Sequence, residues 1–281
     1  MRVKYQKRIV SKTFSTNGGT SDERGAFVAD IITALYEMGA PFAADGLNSP
    51  SAGMAFLKDT GANGENFSIG LASDGSGDIK IVSTYFAMSM QENFFSYSPD
   101  TTICPANSKN AKITIHAVKS GDSFFFGFLP YDSNAYNACI NYAITPMRKL
   151  SDPSVSLGYA VLSGVTPAQN MPFAMLYRAL PCIDGYNYQN GRMNMAPAEY
   201  VVRYPEVETG KIPLVPYFAG IEDIYYDKVY GSPMRRGTVE EKAFETDKGV
   251  FLISGEACTD WGIMFYCTLA FDITEAVNTA Q

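Results

Sequence analysis

The chain has 281 residues, of which 46% are apolar, 13% aromatic and 18% charged, with a formal net charge of −7 at pH 7. This length and apolar content permit a large core and exclude a disordered chain. The acidic balance, without a dense basic stripe, argues against a nucleic-acid partner, because binding a polyphosphate requires Lys and Arg to displace its counterions. The low share of charged residues favours a surface that partly faces protein, with a neutral Ser/Thr/Asn-rich surface as the alternative.

The N-terminal region predicts an extended segment followed by a helix. Residues 1–10 are basic and no apolar stretch follows them, so we expect no signal peptide and synthesis in the cytoplasm. Residues 1–20 are predicted to be extended, with the polar part Ser11–Gly19 free to order against a neighbour. A capping box formed by Thr20 and Glu23 predicts a helix from Ser21 to Gly39. Its apolar face is expected to lie on a sheet and consists of Phe27, Ile31, Ala34, Leu35 and Met38.

Two hairpins are predicted next, because apolar and polar residues alternate around glycine-containing turns. The first joins Phe67–Leu71 to Ile79–Tyr85, and the second joins Lys112–Ala117 to Phe124–Phe128 through a turn at Gly121. Phe125 is apolar as well, so the returning strand of the second hairpin should be covered on both faces.

The rest of the chain predicts further strands around a proline-rich loop region at about residues 146–200. We expect a long central strand within Gly262–Ile273, and the charges at Glu256, Asp260 and Asp272 exclude a membrane span over residues 250–273. The predicted fold is α+β and predominantly β, a single domain over residues 1–281 with antiparallel sheets in a sandwich or barrel and one N-terminal amphipathic helix. The other strand segments are Ala138–Thr145, Phe173–Arg178, Tyr200–Tyr204, Ile224–Tyr230 and Val250–Ser254.

Catalytic chemistry has little support in the sequence, so we predict that the chain is not an enzyme and has no catalytic residues. The one histidine, His116, shares a predicted strand face with Lys112 and Thr114, which places it on the solvent side of a hairpin. No nucleophile motif accompanies it. A hydrolase acting through a carboxylate pair is the weakest hypothesis, and it requires a raised pKa at one of Glu206, Glu222, Asp223 and Asp227.

Metal and cofactor sites are also not expected. The segment Asp74–Asp78 is superficially similar to a calcium loop, but it lacks the later bidentate glutamate and suits a hairpin turn. No phosphate-binding glycine loop is present, so we predict no cofactor. The five cysteines are widely spaced and odd in number, which favours buried, reduced thiols.

Tyrosines form the candidate binding surface. Aromatic rings beside amides and carboxylates can stack on sugars or anchor a protein interface, and tyrosines that simply flank strands are the ordinary alternative. The candidate residues are Tyr186, Tyr188, Tyr217, Tyr225, Tyr226 and Tyr230.

The segment Met1–Asp45, with its basic strand, the glycine turn Asn17–Thr20 and the helix Ser21–Gly39, resembles the start of virion structural proteins of tailed bacteriophages. The resemblance implies a non-catalytic tail, baseplate or neck subunit that is found in the virion after assembly in the host cytoplasm. Its partners would be other copies of itself and other virion proteins, as a homo-oligomer, without nucleic acid or membrane. The alternative function is a receptor- or glycan-binding module with tyrosine-rich loops.

Overall fold

The computed structural model describes residues 5–44, 53–58, 65–73, 75–87, 94–129, 140, 142–163, 175–176, 215–218, 224–232, 243–253 and 268–278. Antiparallel strands dominate this part of the chain, and one amphipathic helix lies near the N-terminus, so the predicted fold class is confirmed. In chain order the elements are β1 (Gln6–Thr13), α1 (Ser21–Glu37), β2 (Met54–Phe56), β3 (Glu65–Ser73), β4 (Ile79–Ala87), β5 (Phe94–Cys104), β6 (Asn110–Ser120), β7 (Ser123–Leu129), β8 (Tyr142–Lys149), β9 (Ser156–Ser163), β10 (Met175–Leu176), β11 (Val215–Phe218), β12 (Ile224–Ser232), β13 (Ala243–Thr246), β14 (Gly249–Ile253), β15 (Thr268–Asp272) and α2 (Thr274–Asn278).

The strands form two antiparallel sheets. The larger has 11 strands, curls into a half-barrel and follows the main order β1-β6-β7-β8-β12-β15-β14-β13. Strand β9 pairs with β8, β10 with β9, and β11 with β12. The smaller sheet has 4 strands in the order β2-β3-β4-β5. Among the described strands, β1 and β13 therefore end the main path of the larger sheet.

Helix α1 begins at the predicted residue and ends at Glu37, just before the predicted stop. The Thr20 hydroxyl accepts a hydrogen bond from the Glu23 N–H at 3.2 Å, and the Glu23 carboxylate accepts one from the Thr20 N–H at 2.8 Å. This capping box satisfies backbone donors that a helix start leaves unpaired. Gly39 then adopts a φ of +101°, a conformation that favours glycine. The predicted apolar face is buried and includes Phe27, Ile31, Ala34, Leu35 and Met38.

The segment Ser11–Gly19, which we expected to be free, is held by the chain itself. The Phe14 N–H donates to the Lys109 carbonyl at 2.7 Å, and the Lys109 ammonium donates to the Ser15 carbonyl at 2.8 Å. The Glu23 carboxylate accepts from both the N–H and the hydroxyl of Ser15. Burial of the Phe14 ring adds an apolar anchor, so this segment has no need of a neighbouring chain to become ordered.

The Glu23 carboxylate makes the stability of this region dependent on pH. Hydrogen bonds from the backbone N–H groups of Thr20 and Ser15 hold the pKa of Glu23 below its ordinary value. A lowered folded-state pKa gives stabilisation that is complete above the unfolded-state pKa and is lost as the pH falls through the folded-state pKa.

We expect Glu23→Gln to melt at a lower temperature than the parent chain at neutral pH, and this difference to vanish in acid. Melting curves across the acid range measure it, and the exposed Glu245→Gln is the matched control. A Glu23→Gln difference that persists unchanged in acid would contradict the assignment.

Both predicted hairpins are confirmed. Strands β3 and β4 pair in continuous register, with Phe67 opposite Tyr85 and Leu71 opposite Ile81. Strands β6 and β7 pair from Thr114 onwards, up to the turn at Gly121. Of the other predicted strands, Tyr200–Tyr204 lies outside the described residues, and Gly262–Ile273 is described only from residue 268. Its visible part, β15, lies between β12 and β14 and is central, as predicted.

Strand β7 is covered on both faces, as its sequence predicts, and it separates two apolar layers. On one face Phe126 contacts Phe67 edge-on at 5.9 Å and stacks on Tyr142 at 5.2 Å, measured between ring centroids. This face packs against the smaller sheet and helix α1 in the main core. On the other face Phe125 stacks on Phe271 of β15 at 4.7 Å.

The proline-rich region at 146–200 is not made of loops alone, so that part of the prediction is wrong. Strand β8 runs through Pro146, and β9 lies wholly inside the region. The register between β8 and β9 shifts between Pro146 and Arg148, and such an irregularity allows a residue without an N–H within a strand. Apart from β10, residues 164–200 lie outside the described part of the chain.

Candidate functional site

Four of the six candidate tyrosines lie in the part of the chain that the structure describes, and all four are on strands rather than loops. Tyr186 and Tyr188 lie outside the described residues, and the other four candidates lie on strands, Tyr217 in β11 and the rest in β12. Tyr226 is only 1% exposed, so its ring belongs to the interior and cannot serve as a surface contact.

Tyr225 and Tyr230 are partly buried and lie beside charged or aromatic groups. Burial raises the pKa of Tyr230, and the charges of Asp272 and Asp227 raise it further. The ring of Tyr230 meets Phe251 edge-on at 5.4 Å. Burial also raises the pKa of Tyr225, with Asp227 adding to the rise and Arg148 opposing it. Both phenols therefore stay protonated at neutral pH, and their surroundings are typical of tyrosines that pack along a sheet.

A polar cluster lies where the β6–β7 turn meets β12 and α2. It forms at an irregular position within β12, where Lys228 has a φ of +59°. Before this residue β12 pairs with β8, and after it β12 pairs with β15. Gly121 in the turn leaves room for this arrangement, because an added Cβ would lie 2.8 Å from the Glu275 carboxylate and 3.2 Å from the Lys228 chain. The members of the polar cluster are Ser120, Asp122, Ser123, Thr145, Arg148, Asp227, Lys228 and Glu275.

Arg148 and Asp227 form the centre of the polar cluster. The Arg148 Nε donates to the Asp227 carboxylate at 2.9 Å, and a terminal guanidinium nitrogen donates to Asp122 at 3.2 Å. Burial by itself would lower the pKa of Arg148, but the hydrogen bond and charge of Asp227, together with the charge of Asp122, outweigh it and raise the pKa. Beneath this pair the buried Ser123 and Thr145 hydroxyls lie 2.9 Å apart, and Thr145 donates to the Asp227 carbonyl.

The geometry of the polar cluster suits a link between elements better than a reaction centre. The Lys228 ammonium lies 3.3 Å from the Ser120 hydroxyl, a pairing used by some hydrolases, but it also donates to Glu275 at 2.6 Å. Ser120 is 0% exposed, so a substrate has no access to its hydroxyl. Of the carboxylates in the hydrolase hypothesis, Asp227 is engaged by Arg148, and Glu206, Glu222 and Asp223 lie outside the described residues.

His116 lies on the predicted face of β6, but it is half-buried with both ring nitrogens shielded from solvent, so the predicted solvent-side position is wrong for its polar atoms. Its ring meets that of Tyr5 at 6.2 Å, measured between ring centroids. At the end of the turn after β3, the Asp78 carboxylate accepts a hydrogen bond from the Ala106 N–H at 2.8 Å, which ties this turn to the connection between β5 and β6. Cys104 is a free, buried thiol whose pKa is raised by that burial, and the other cysteines lie outside the described ranges. Within the described ranges no group of three or more His, Cys, Asp or Glu side chains could hold a metal ion.

Among the described strands, β1 presents an open edge, which no local sequence pattern indicates. It pairs with β6 without interruption, from Gln6 opposite Ala117 to Thr13 opposite Asn110. In the part of the chain that the structure describes, β6 is its one strand partner. Ile9, in the middle of β1, is 52% exposed. Long edge strands with exposed apolar side chains are templates for pairing with another chain.

One hydrogen bond shows which N–H and C=O groups of β1 face β6 and which face the open edge. The Phe14 N–H donates to Lys109, its partner in the same register, so Phe14 belongs to a hydrogen-bonded pair. Hydrogen-bonded and non-hydrogen-bonded pairs alternate along an antiparallel ladder. Even-numbered residues of β1 therefore bond to β6, and the N–H and C=O groups of Lys7, Ile9 and Ser11 point to the open edge.

The chain matches no protein-family model, and neither a curated protein nor a solved structure matches it. None of the described helices is long and apolar enough to span a membrane.

Proposed function

We propose that this chain is a non-catalytic structural subunit of a tailed-bacteriophage virion, in the tail, baseplate or neck, that acts through protein–protein assembly contacts. The observation that carries the proposal is the open edge of β1, with outward N–H and C=O groups at Lys7, Ile9 and Ser11 and the exposed Ile9 side chain. An edge of this kind gains backbone hydrogen bonds and apolar burial when a further strand docks on it.

Two further observations support a structural role. The cations Arg148 and Lys228 of the polar cluster are engaged by carboxylates of the same chain, so these residues act in joining β8, β12 and α2. The low content of charged residues and the high content of aromatics suit a surface that is partly covered by protein. The virion itself is proposed from the resemblance of residues 1–45 to the start of phage structural proteins.

Two measurements test the proposal: whether the purified chain associates with itself, and whether it is present in virus particles. Sedimentation velocity of the purified chain over the micromolar range should show reversible association, and mass spectrometry of gradient-purified particles from the natural source should detect the chain at a fixed stoichiometry. A chain that stays monomeric throughout and is missing from the particles would overturn the proposal.

A further inference from the structure

Two of the three cations in strand β1, Arg8 and Lys12, are engaged by carboxylates of helix α1, and the third, Lys7, is exposed beside Ile9. Many edge strands avoid pairing with other chains by presenting cations. In β1 the Arg8 guanidinium is bound by Glu37, and the Lys12 ammonium lies 3.9 Å from Asp30, both on the face that helix α1 covers. The opposite face carries Lys7, the exposed Ile9 and Ser11. Arg8 and Lys12 are thus held by carboxylates of their own chain.

We infer that β1 pairs with β1 of a second copy of this chain, antiparallel and about a two-fold axis at Ile9. The inference rests on the proposed function and specifies its assembly contact. In this arrangement Ile9 lies opposite Ile9 of the second copy, and Lys7 lies opposite Ser11. The two larger sheets then continue into each other across the two-fold axis, which is the commonest symmetry of soluble oligomers.

The direction of the backbone groups restricts the possible registers. Only odd-numbered residues of β1 present N–H and C=O groups at the edge, so an odd residue must lie opposite an odd residue for the ladder to form. A two-fold axis then has to pass through a residue of β1 and not between two residues. This condition leaves axes at Lys7, Arg8, Ile9, Val10 and Ser11 as the candidates within the strand.

Repulsion between cations disfavours several of these axes, because like charges directly opposite each other destabilise a sheet. A two-fold axis at Lys7 places Lys7 opposite Lys7 of the second copy, and an axis at Arg8 places Arg8 opposite Arg8. An axis at Val10 sets Arg8 against Lys12. An axis at Ser11 avoids such pairs but shortens the overlap to Ile9–Thr13.

The axis at Ile9 is the one candidate that combines a long overlap with the absence of opposed cations. Arg8 then lies opposite Val10, and Lys12 opposite Gln6. The Ile9 side chains meet on the exposed face of the joined sheet, where each covers apolar surface of the other. A self-complementary strand of this kind fits a second copy better than a partner with a different strand.

The first test removes an outward hydrogen-bond donor without disturbing the fold. Ser11→Pro deletes an N–H that faces the open edge, whereas the ladder to β6 uses the even-numbered residues, so an edge strand tolerates this change. We expect the dissociation constant from sedimentation velocity to rise at least about tenfold, the effect of losing roughly 1.4 kcal/mol. Ser11→Ala keeps the N–H and is the matched control, with unchanged association. Circular dichroism reports folding, and if Ser11→Pro does not fold, Ile9→Lys places two cations opposite each other and should dissociate the dimer equally.

The second test determines which residues of the two β1 strands lie opposite each other. Opposed Cα atoms of a hydrogen-bonded antiparallel pair lie about 5.5 Å apart, within the range of a disulfide. Ile9→Cys should give a covalent dimer under mild oxidation, and mass spectrometry should identify residue 9 linked to residue 9. Lys7→Cys alone should not link to itself, but a mixture of Lys7→Cys and Ser11→Cys chains should link to each other. The parent chain, which has its native cysteines, gives the background.

The outcomes separate this inference from the proposed function. A chain that associates, but whose association is unaffected by Ser11→Pro and Ile9→Lys and whose Ile9→Cys variant forms no covalent dimer, assembles through another surface. That result overturns the β1 pairing and leaves the structural role standing. Linkage of Lys7→Cys to itself would mean a different axis and also overturns the inference. A chain that does not associate and is missing from particles overturns both.

Discussion

Replacing Phe126 with alanine should lower the free energy of unfolding by about 3–5 kcal/mol, the range for truncating a fully buried aromatic side chain. The Phe126 ring is 0% exposed and stacks on Tyr142, and it meets Phe67 of the smaller sheet edge-on. The truncation leaves a cavity between the two sheets that neither backbone can close. Urea or guanidinium unfolding, followed by circular dichroism, measures the loss.

Two matched variants show whether the cost comes from this cavity. Phe126→Leu keeps most of the buried volume and should cost clearly less than the alanine variant. Leu150→Ala removes a side chain that is 54% exposed and should change the free energy of unfolding by less than about 0.5 kcal/mol. Equal costs for Phe126→Ala and Leu150→Ala would mean that the two sheets do not share a core at this position.

Replacing Arg148 with methionine should cost about 2–3 kcal/mol of unfolding free energy. The Arg148 and Asp227 side chains are 18% and 20% exposed, so the cost is expected below the roughly 3–5 kcal/mol for breaking a fully buried pair. The variant leaves the Asp227 carboxylate partly buried without its cation. The variant should also weaken the pairing between β8 and β12, and faster hydrogen exchange of the Tyr226 amide would detect this change independently.

A double-mutant cycle tests whether the pair itself is responsible. Arg148→Met combined with Asp227→Asn should be more stable than the sum of the single variants predicts, by about 1 kcal/mol or more. Asp122→Asn touches a contact whose carboxylate is 66% exposed and should cost less than about 1 kcal/mol. If Arg148→Met costs no more than Asp122→Asn, the polar cluster does not hold β12 in place.

Local patterns were enough to predict helix α1 and the two hairpins. The capping box of Thr20 and Glu23 and the glycine at position 39 are signals within a few residues of the helix ends, so the helix bounds can be read from the sequence. The same holds for β6 and β7, where alternating residues meet a turn at Gly121. Coverage of β7 on both faces also followed from Phe125 lying between Phe124 and Phe126.

The prediction of loops failed where a strand depends on its neighbours. Pro146 suggests a break, but the register irregularity between β8 and β9 accommodates it, and no local signal shows that irregularity. The tyrosines of β12 were predicted as a binding surface from their polar neighbours. Whether Tyr226 faces the solvent or the interior depends on which strands lie beside β12, and the structure buries it.

Residues that lie close together along the chain specify the β-rich fold class, the N-terminal helix and the hairpins, because these depend on periodicity, capping and turn residues. Two features depend instead on the tertiary structure: among the described strands β1 ends the larger sheet with Ile9 exposed, and Arg148, Asp227 and Lys228 meet at one irregular position of β12. Strand order and register arise from contacts between residues far apart in sequence, and only these contacts determine which backbone groups and side chains remain open to a partner.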